Sequence, residues 1–120
     1  MGAKLSASLI YHVCPASAWD AAKASGVYTG TSDDTRDGFL HFSGGGQVRE
    51  SLAKHRAGQS GLVMLAVDPD ILGNMLKWEL ARGGALFPHL YGSLPVDAVT
   101  QVTPLSLGGD SLHVLPLEIP

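Results

Sequence analysis

Cysteine is almost absent: Cys14 is the one thiol in 120 residues, so no disulfide can form within the chain. Basic runs are missing too. The chain carries 8 Lys and Arg against 11 Asp and Glu, a formal net charge of -3. A nucleic-acid binder normally shows a basic stripe that neutralises phosphates, and no stretch here supplies one. Composition therefore argues against a nucleic-acid partner. No segment approaches the roughly 18 consecutive apolar residues of a membrane span. The opening Met1-Gly2-Ala3-Lys4-Leu5 lacks the apolar core and cleavage site of a leader. The expectation is a cytoplasmic protein with no membrane partner. The phosphate-binding glycine fingerprints are also missing: Gly44-Gly45-Gly46 has neither their spacing nor a following Lys. Neither Cys-x-x-Cys nor His-Glu-x-x-His occurs, so no metal ligands are assigned.

What is present is enough for a core. Hydrophobic residues make up 45% and charged residues 16%, which excludes the composition of a disordered chain. A length of 120 residues fits one domain, 1–120, that can fold without staples. The 15 glycines imply many tight turns.

Residues 9–14, Leu-Ile-Tyr-His-Val-Cys, suit a buried strand. Pro15 fits a helix start, and Ala16 to Ser25 reads as a helix with Trp19 and Ala22 on one face. Gly26 is a natural stop. The polar run 30–37 reads as a loop, and residues 38–43 as a second strand. A helix over Gln47 to Arg56 places Val48 and Leu52 together. The run 61–67 is the strongest strand, and Asp68-Pro69 caps a helical turn through Leu72. Strands are expected at 75–80 and 97–105, mixed extended and turn structure at 85–92, and a short edge strand at 112–115. The fold class is thus α+β: a bent or split, largely antiparallel sheet with two main helices in the first half.

Strand alternation places His12 with Ile10 on one face, and Phe39, His41 and Ser43 on one face of the second strand. Lys77 and Glu79 share a face opposite Leu76, Trp78 and Leu80. Taken singly, each polar position has a structural explanation. His12 fits a core histidine bonded to backbone. His41 fits a half-buried strand residue beside Ser43 as an N-cap, and Glu79 a surface partner of Lys77 or Arg82. His89, in Phe87-Pro88-His89-Leu90-Tyr91-Gly92, fits a turn packed on the core by Phe87 and Tyr91. His55 reads as an exposed helix residue and His113 as an edge residue. Cys14 reads as a small buried hydrophobe. Taken together, His12, His41, Glu79 and His89 come from separate segments and can meet in one cleft. The glycine-flanked helix start from Ser43 to Gln47 adds a candidate anion site.

Several blocks carry a family resemblance. They are Ile10-Tyr11-His12-Val13, Gly38-Phe39-Leu40-His41-Phe42-Ser43 with Gln47-Val48, Lys77-Trp78-Glu79, and Phe87-Pro88-His89-Leu90-Tyr91-Gly92. Through these, from about Leu9 to Leu105, the chain resembles a small bacterial family, domain-of-unknown-function family nine hundred fifty-two. That family is similar to the ADP-ribosyltransferase fold, a split and bent β structure with an NAD cleft. More distantly, Leu40-His41-Phe42-Ser43 is similar to a strand of RNA 2′-phosphotransferases. The resemblance implies that His12 contacts the adenosine-side ribose and that His41 or Phe39 lines the nicotinamide side. It makes Glu79 the nearest acidic candidate for the nicotinamide ribose.

Three functional expectations follow. The first is an enzyme-like NAD or nucleotide site with ADP-ribosyl- or phosphate-transferring activity. Its catalytic candidates are His41, Glu79 and His12, and its ligand-binding candidates are Phe39, Ser43, Gln47, His89 and Tyr91. The second is a binding module without catalysis, for a nucleotide, a phosphorylated ligand or a protein. The third is a His-rich metal site built from the scattered histidines.

Overall fold

Local chemistry sets the first third of the chain. β1 (Ile10–Pro15) is β-branched and aromatic, and its last residue caps α1 (Ala16–Ser25) with extended backbone, φ -60° and ψ 144°. Gly26 ends that helix at φ 93°, where its N–H reaches the Ala22 carbonyl at 2.7 Å; a side chain there would be strained. β2 (Val27–Tyr28) follows. The computed structural model describes residues 9–81 and 83–119. The opening pentapeptide and Arg82, read above as a partner for Glu79, lie outside them.

Residues 32–37 are not a loop. They form α2 (Ser32–Asp37), because Asp34, at the third helical position, reaches back to the Thr31 N–H at 2.7 Å. Gly38, at φ 86°, closes the helix. The strand expected over 38–43 is two short ones. β3 (Leu40–His41) and β4 (Ser43–Gly44) join different sheets, with Phe42 between them donating its N–H to the Pro88 carbonyl at 3.0 Å. Ser43 is therefore a buried strand residue and caps no helix. α3 (Val48–His55) takes Gln47 as its N-cap residue.

The second half is strand-rich, as expected. β5 (Leu62–Val67) leads to a 3₁₀ segment, Pro69–Met75, with Asp68 capping the Asp70 N–H at 3.0 Å. Next come β6 (Leu76–Leu80), β7 (Leu86–Leu90), β8 (Leu94–Pro95), a 3₁₀ turn at Val96–Ala98, and β9 (Val99–Leu105). Residues 85–92, read as mixed, contain the central strand of a sheet, since β7 pairs on both sides. The expected edge strand at 112–115 reduces to one bridge, Leu107 with His113. His113 is buried there, donating Nε2–H to the Gln59 carbonyl at 2.7 Å.

The result is a mixed helix-and-strand architecture of three antiparallel sheets, ordered β4-β1-β5-β9, β3-β7-β6 and β2-β8. β5 is buried along its whole length and feeds two cores by alternation. Val63, Leu65 and Val67 pack with Ile10, Cys14, Trp19, Ala22, Tyr28 and Leu90. Leu62, Met64 and Ala66 pack the other way, with Tyr11, Val48 and Leu52. Coverage on both faces explains the unbroken apolar run. Among the described residues no helix is long and apolar enough to cross a membrane.

Candidate functional site

The site assembles where β1 of the larger sheet meets α2 and the β3-β7-β6 sheet. Asp34 is its centre and is almost fully buried. Its Oδ1 accepts from the His41 backbone N–H at 3.0 Å and from His41 Nδ1–H at 2.6 Å. Its Oδ2 accepts from the Thr31 N–H at 2.7 Å and the Thr31 hydroxyl at 3.0 Å. Burial alone would raise the carboxyl's pKa. The bonds from the His41 ring and from the backbone N–H groups of Thr31 and His41 outweigh it and hold the group well below the usual carboxylate range.

His41 is gripped at both ring nitrogens. Its Nε2–H donates to Asp37 Oδ2 at 2.9 Å, and Asp37 also receives Arg36 Nε–H at 2.9 Å. A carboxylate only accepts, so both ring nitrogens carry protons and the ring is an imidazolium. Its pKa is accordingly raised, first by the Asp34 hydrogen bond. Asp37 is lowered, chiefly by Arg36.

His12 is buried, and its ring is closed off by protein partners. The His41 carbonyl accepts from His12 Nδ1–H at 2.6 Å, which leaves Nε2 to accept from the Tyr28 hydroxyl at 2.7 Å. Desolvation lowers its pKa against the pull of Asp34, so this ring is neutral. Tyr28 is raised by burial, as is the neighbouring Cys14 thiol, itself hydrogen-bonded to Tyr28. The sequence reading of Cys14 as a buried small residue holds, since it is fully enclosed. The reading of His12 as bonded to backbone also holds, with a tyrosine hydroxyl added.

The second part of the site lies across the β3-β7 ladder. His41 stands opposite His89, and His89 opposite Lys77, so all three share one face. The two imidazoles meet edge to face at 5.8 Å. His89 donates Nδ1–H to Glu79 Oε1 at 2.8 Å, and the Tyr91 hydroxyl donates to the same oxygen at 2.7 Å. Phe39 stacks on the His89 ring at 4.0 Å and 24°. His89 first and Tyr91 second hold the Glu79 carboxyl below its ordinary pKa, and Glu79 in turn raises Tyr91. Glu79 is thus tied to His89 and Tyr91, with Lys77 only a lesser influence. His89 belongs to a strand, where the sequence alone placed it in a turn.

A cleft of about 630 Å³ opens beside this network. Of the residues singled out in the sequence, His12, His41, Ser43, Gln47 and His89 contribute to its walls, but Phe39, Glu79 and Tyr91 do not. Glu79 and Phe39 hold the His89 ring, and Tyr91 contacts those two. Gln47 bridges two elements, accepting from the Gly44 N–H at 2.8 Å and donating to the Leu86 carbonyl at 2.7 Å. That occupies one of the N–H groups assigned to anion binding at the Ser43–Gln47 corner. No group of three or more His, Cys, Asp or Glu among the described residues is arranged to hold a metal ion. Sequence reasoning missed Thr31, Asp34 and Tyr28. The Thr31-x-x-Asp34 spacing of a capped helix was the available signal.

No curated protein matches the chain. It is similar to protein CC0527 from Caulobacter crescentus in that protein's X-ray crystal structure: 48% identical, with a TM-score of 0.85, over 88% of this chain and 93% of that one. A double-mutant crystal form gives 47% identity and the same TM-score of 0.85 over the same shares of 88% and 93%. The solution NMR structure of CC0527 gives 48% identity and a TM-score of 0.80, over 88% of this chain and 90% of that one. The family model described as "Protein of unknown function (DUF952)" matches residues 13–102, and those residues hold every member of the network described above except His12, which lies one residue before them. On that match the chain belongs to the DUF952 family.

Proposed function

We propose that the cleft binds a small nucleotide-type ligand, NAD or a relative of it, and that His89 moves a proton there. One observation carries this reading. His89 is a cleft-wall imidazole whose Nδ1 is occupied by Glu79 and whose ring plane is set by Phe39. Among the described residues its Nε2 has no hydrogen-bond partner. A carboxylate behind one imidazole nitrogen fixes the tautomer and stabilises the imidazolium formed when the other takes a proton. His41, already cationic, supplies a fixed positive charge beside it. The cleft volume lies within the usual range for small-ligand sites, about 300–1,000 Å³.

The split antiparallel sheets, with His12 on the first strand and His41 on a later one, support the ADP-ribosyltransferase-like likeness. Within that reading, an acceptor O–H bonds the ribose carbon through oxygen and gives its proton to His89 Nε2. Nicotinamide leaves with the electrons of the broken bond. Glu79 acts through His89 as a positioning residue. Calorimetric titration with NAD tests binding, and nicotinamide release tests turnover. Heat and turnover in the wild type, with turnover lost in His89→Gln, are expected. No heat and no thermal shift at about millimolar ligand, a Kd weaker than any useful site, would refute the reading.

A second reading, a binding module without catalysis, draws on a separate observation: His12 and His41 have both ring nitrogens taken by protein groups. It expects ligand heat that survives Glu79→Gln and no turnover in the wild type.

A further inference from the structure

We propose that Arg56 is the anion anchor of the cleft, holding a phosphate group of the ligand whose other end reaches His89. The inference rests on the nucleotide reading and assigns it a recognition residue. Arg56 follows the last turn of α3, is half-buried, and lines the same cleft as His12, His41 and His89. Its guanidinium offers five N–H donors in a planar fork. Among the described residues it makes one long side-chain contact, Nη1 to Gln59 Oε1 at 3.5 Å, and has no carboxylate within ion-pair reach.

The contrast with Arg36 decides between the two arginines of the cleft wall. Arg36 is exposed and already faces Asp33 at 3.4 Å and Asp37 at 2.9 Å. Arg56 is the more enclosed and lacks such neighbours. Helix C-termini favour basic side chains, but Lys54 and His55 already serve the last turn of α3. Lys54 also lines the cleft and adds a second fixed positive charge on that side, where Glu50 is the acidic lining residue of the same helix. A half-buried guanidinium with unfilled donors is the partner that a phosphate oxygen pair fits, through two parallel charge-assisted bonds.

The test is an NMR titration of isotope-labelled protein with inorganic pyrophosphate, then with NAD, following the Arg56 Nε–H and the His89 ring. Pyrophosphate should move the Arg56 signal in the wild type. Arg56→Gln should bind it at least about tenfold more weakly, and Arg56→Lys, which keeps charge but not the fork, should fall between. A backbone amide spectrum that superposes on the wild type verifies the fold of each variant. Equal pyrophosphate affinity in wild type and Arg56→Gln, or no pyrophosphate binding, overturns the anchor. So does oxalate binding more tightly than pyrophosphate, which would make the anion a carboxylate. If NAD moves His89 with unchanged affinity in Arg56→Gln, the anchor fails and the cleft reading stands. If NAD leaves His89 unmoved in the wild type, the cleft reading fails, whatever pyrophosphate does at Arg56.

Discussion

Replacing Asp34 by Asn tests the network at its centre. The carboxylate accepts four hydrogen bonds, two at each oxygen, from the backbone and side chains of Thr31 and His41. An amide has one acceptor oxygen. Whichever way it turns, its NH₂ faces two donors, one of them a backbone N–H that loses its partner. His41 also loses the buried half of its counter-charge. Removing one member of a buried charged pair costs about 3–5 kcal/mol. A domain holds roughly 5–15 kcal/mol in all, so the loss is a large share. At this chain length it corresponds to a fall in Tm of about 10–20 °C. Urea and thermal unfolding followed by circular dichroism would measure it.

The pH dependence supplies an independent check. The folded pKa of Asp34 lies below its ordinary value of 3.8, so its contribution is present above that value and fades as pH falls toward the folded one. The folded pKa of His41 lies above 6.5, so its contribution is full below 6.5 and is lost as pH rises through the folded value. The gap between wild type and variant should be widest between those limits and narrow on both sides. A loss under about 1 kcal/mol, typical of a surface pair, or a gap that is flat with pH, would refute the account of Asp34.

Two further outcomes are expected. Tyr28→Phe removes the hydroxyl that His12 Nε2 accepts from and strands a buried nitrogen; chemical denaturation should show a loss of about 1–3 kcal/mol. Cys14 is fully enclosed and its thiol pKa is raised, so a colorimetric thiol reagent at mildly alkaline pH should label it only in denaturant.

The legible parts of this fold are those where local pattern and burial agree. Trp19 with Ala22 and Val48 with Leu52 lie one turn apart, and each pair is buried. The run at 62–67 is apolar at every position because helices and strands cover both of its faces. His41, His89 and Glu79 drew notice as polar residues in apolar surroundings. That they could meet was legible, but which groups pair was not, because it depends on the registers His41 to His89 and Glu79 to Phe87 between distant segments. Asp34 was hidden in a run of polar residues. What marks it out is its burial, and burial there is a product of tertiary packing against β1 and β3. The break at Phe42 was equally invisible, since an extended chain that changes sheets looks locally like one that does not.

That change of sheet has a consequence for how tolerant position 41 is. The His41 carbonyl receives a hydrogen bond from β1, and its N–H is held by Asp34. Both belong to the main chain and are available to any residue at 41 except proline, which has no N–H to give. The seam between the two sheets is therefore tied by the backbone, and the imidazole is carried on top of it. A descendant of this chain that loses the imidazole keeps these two main-chain ties but leaves the buried Asp34 carboxylate without its cationic partner, so fold and chemistry at this position are only partly separable.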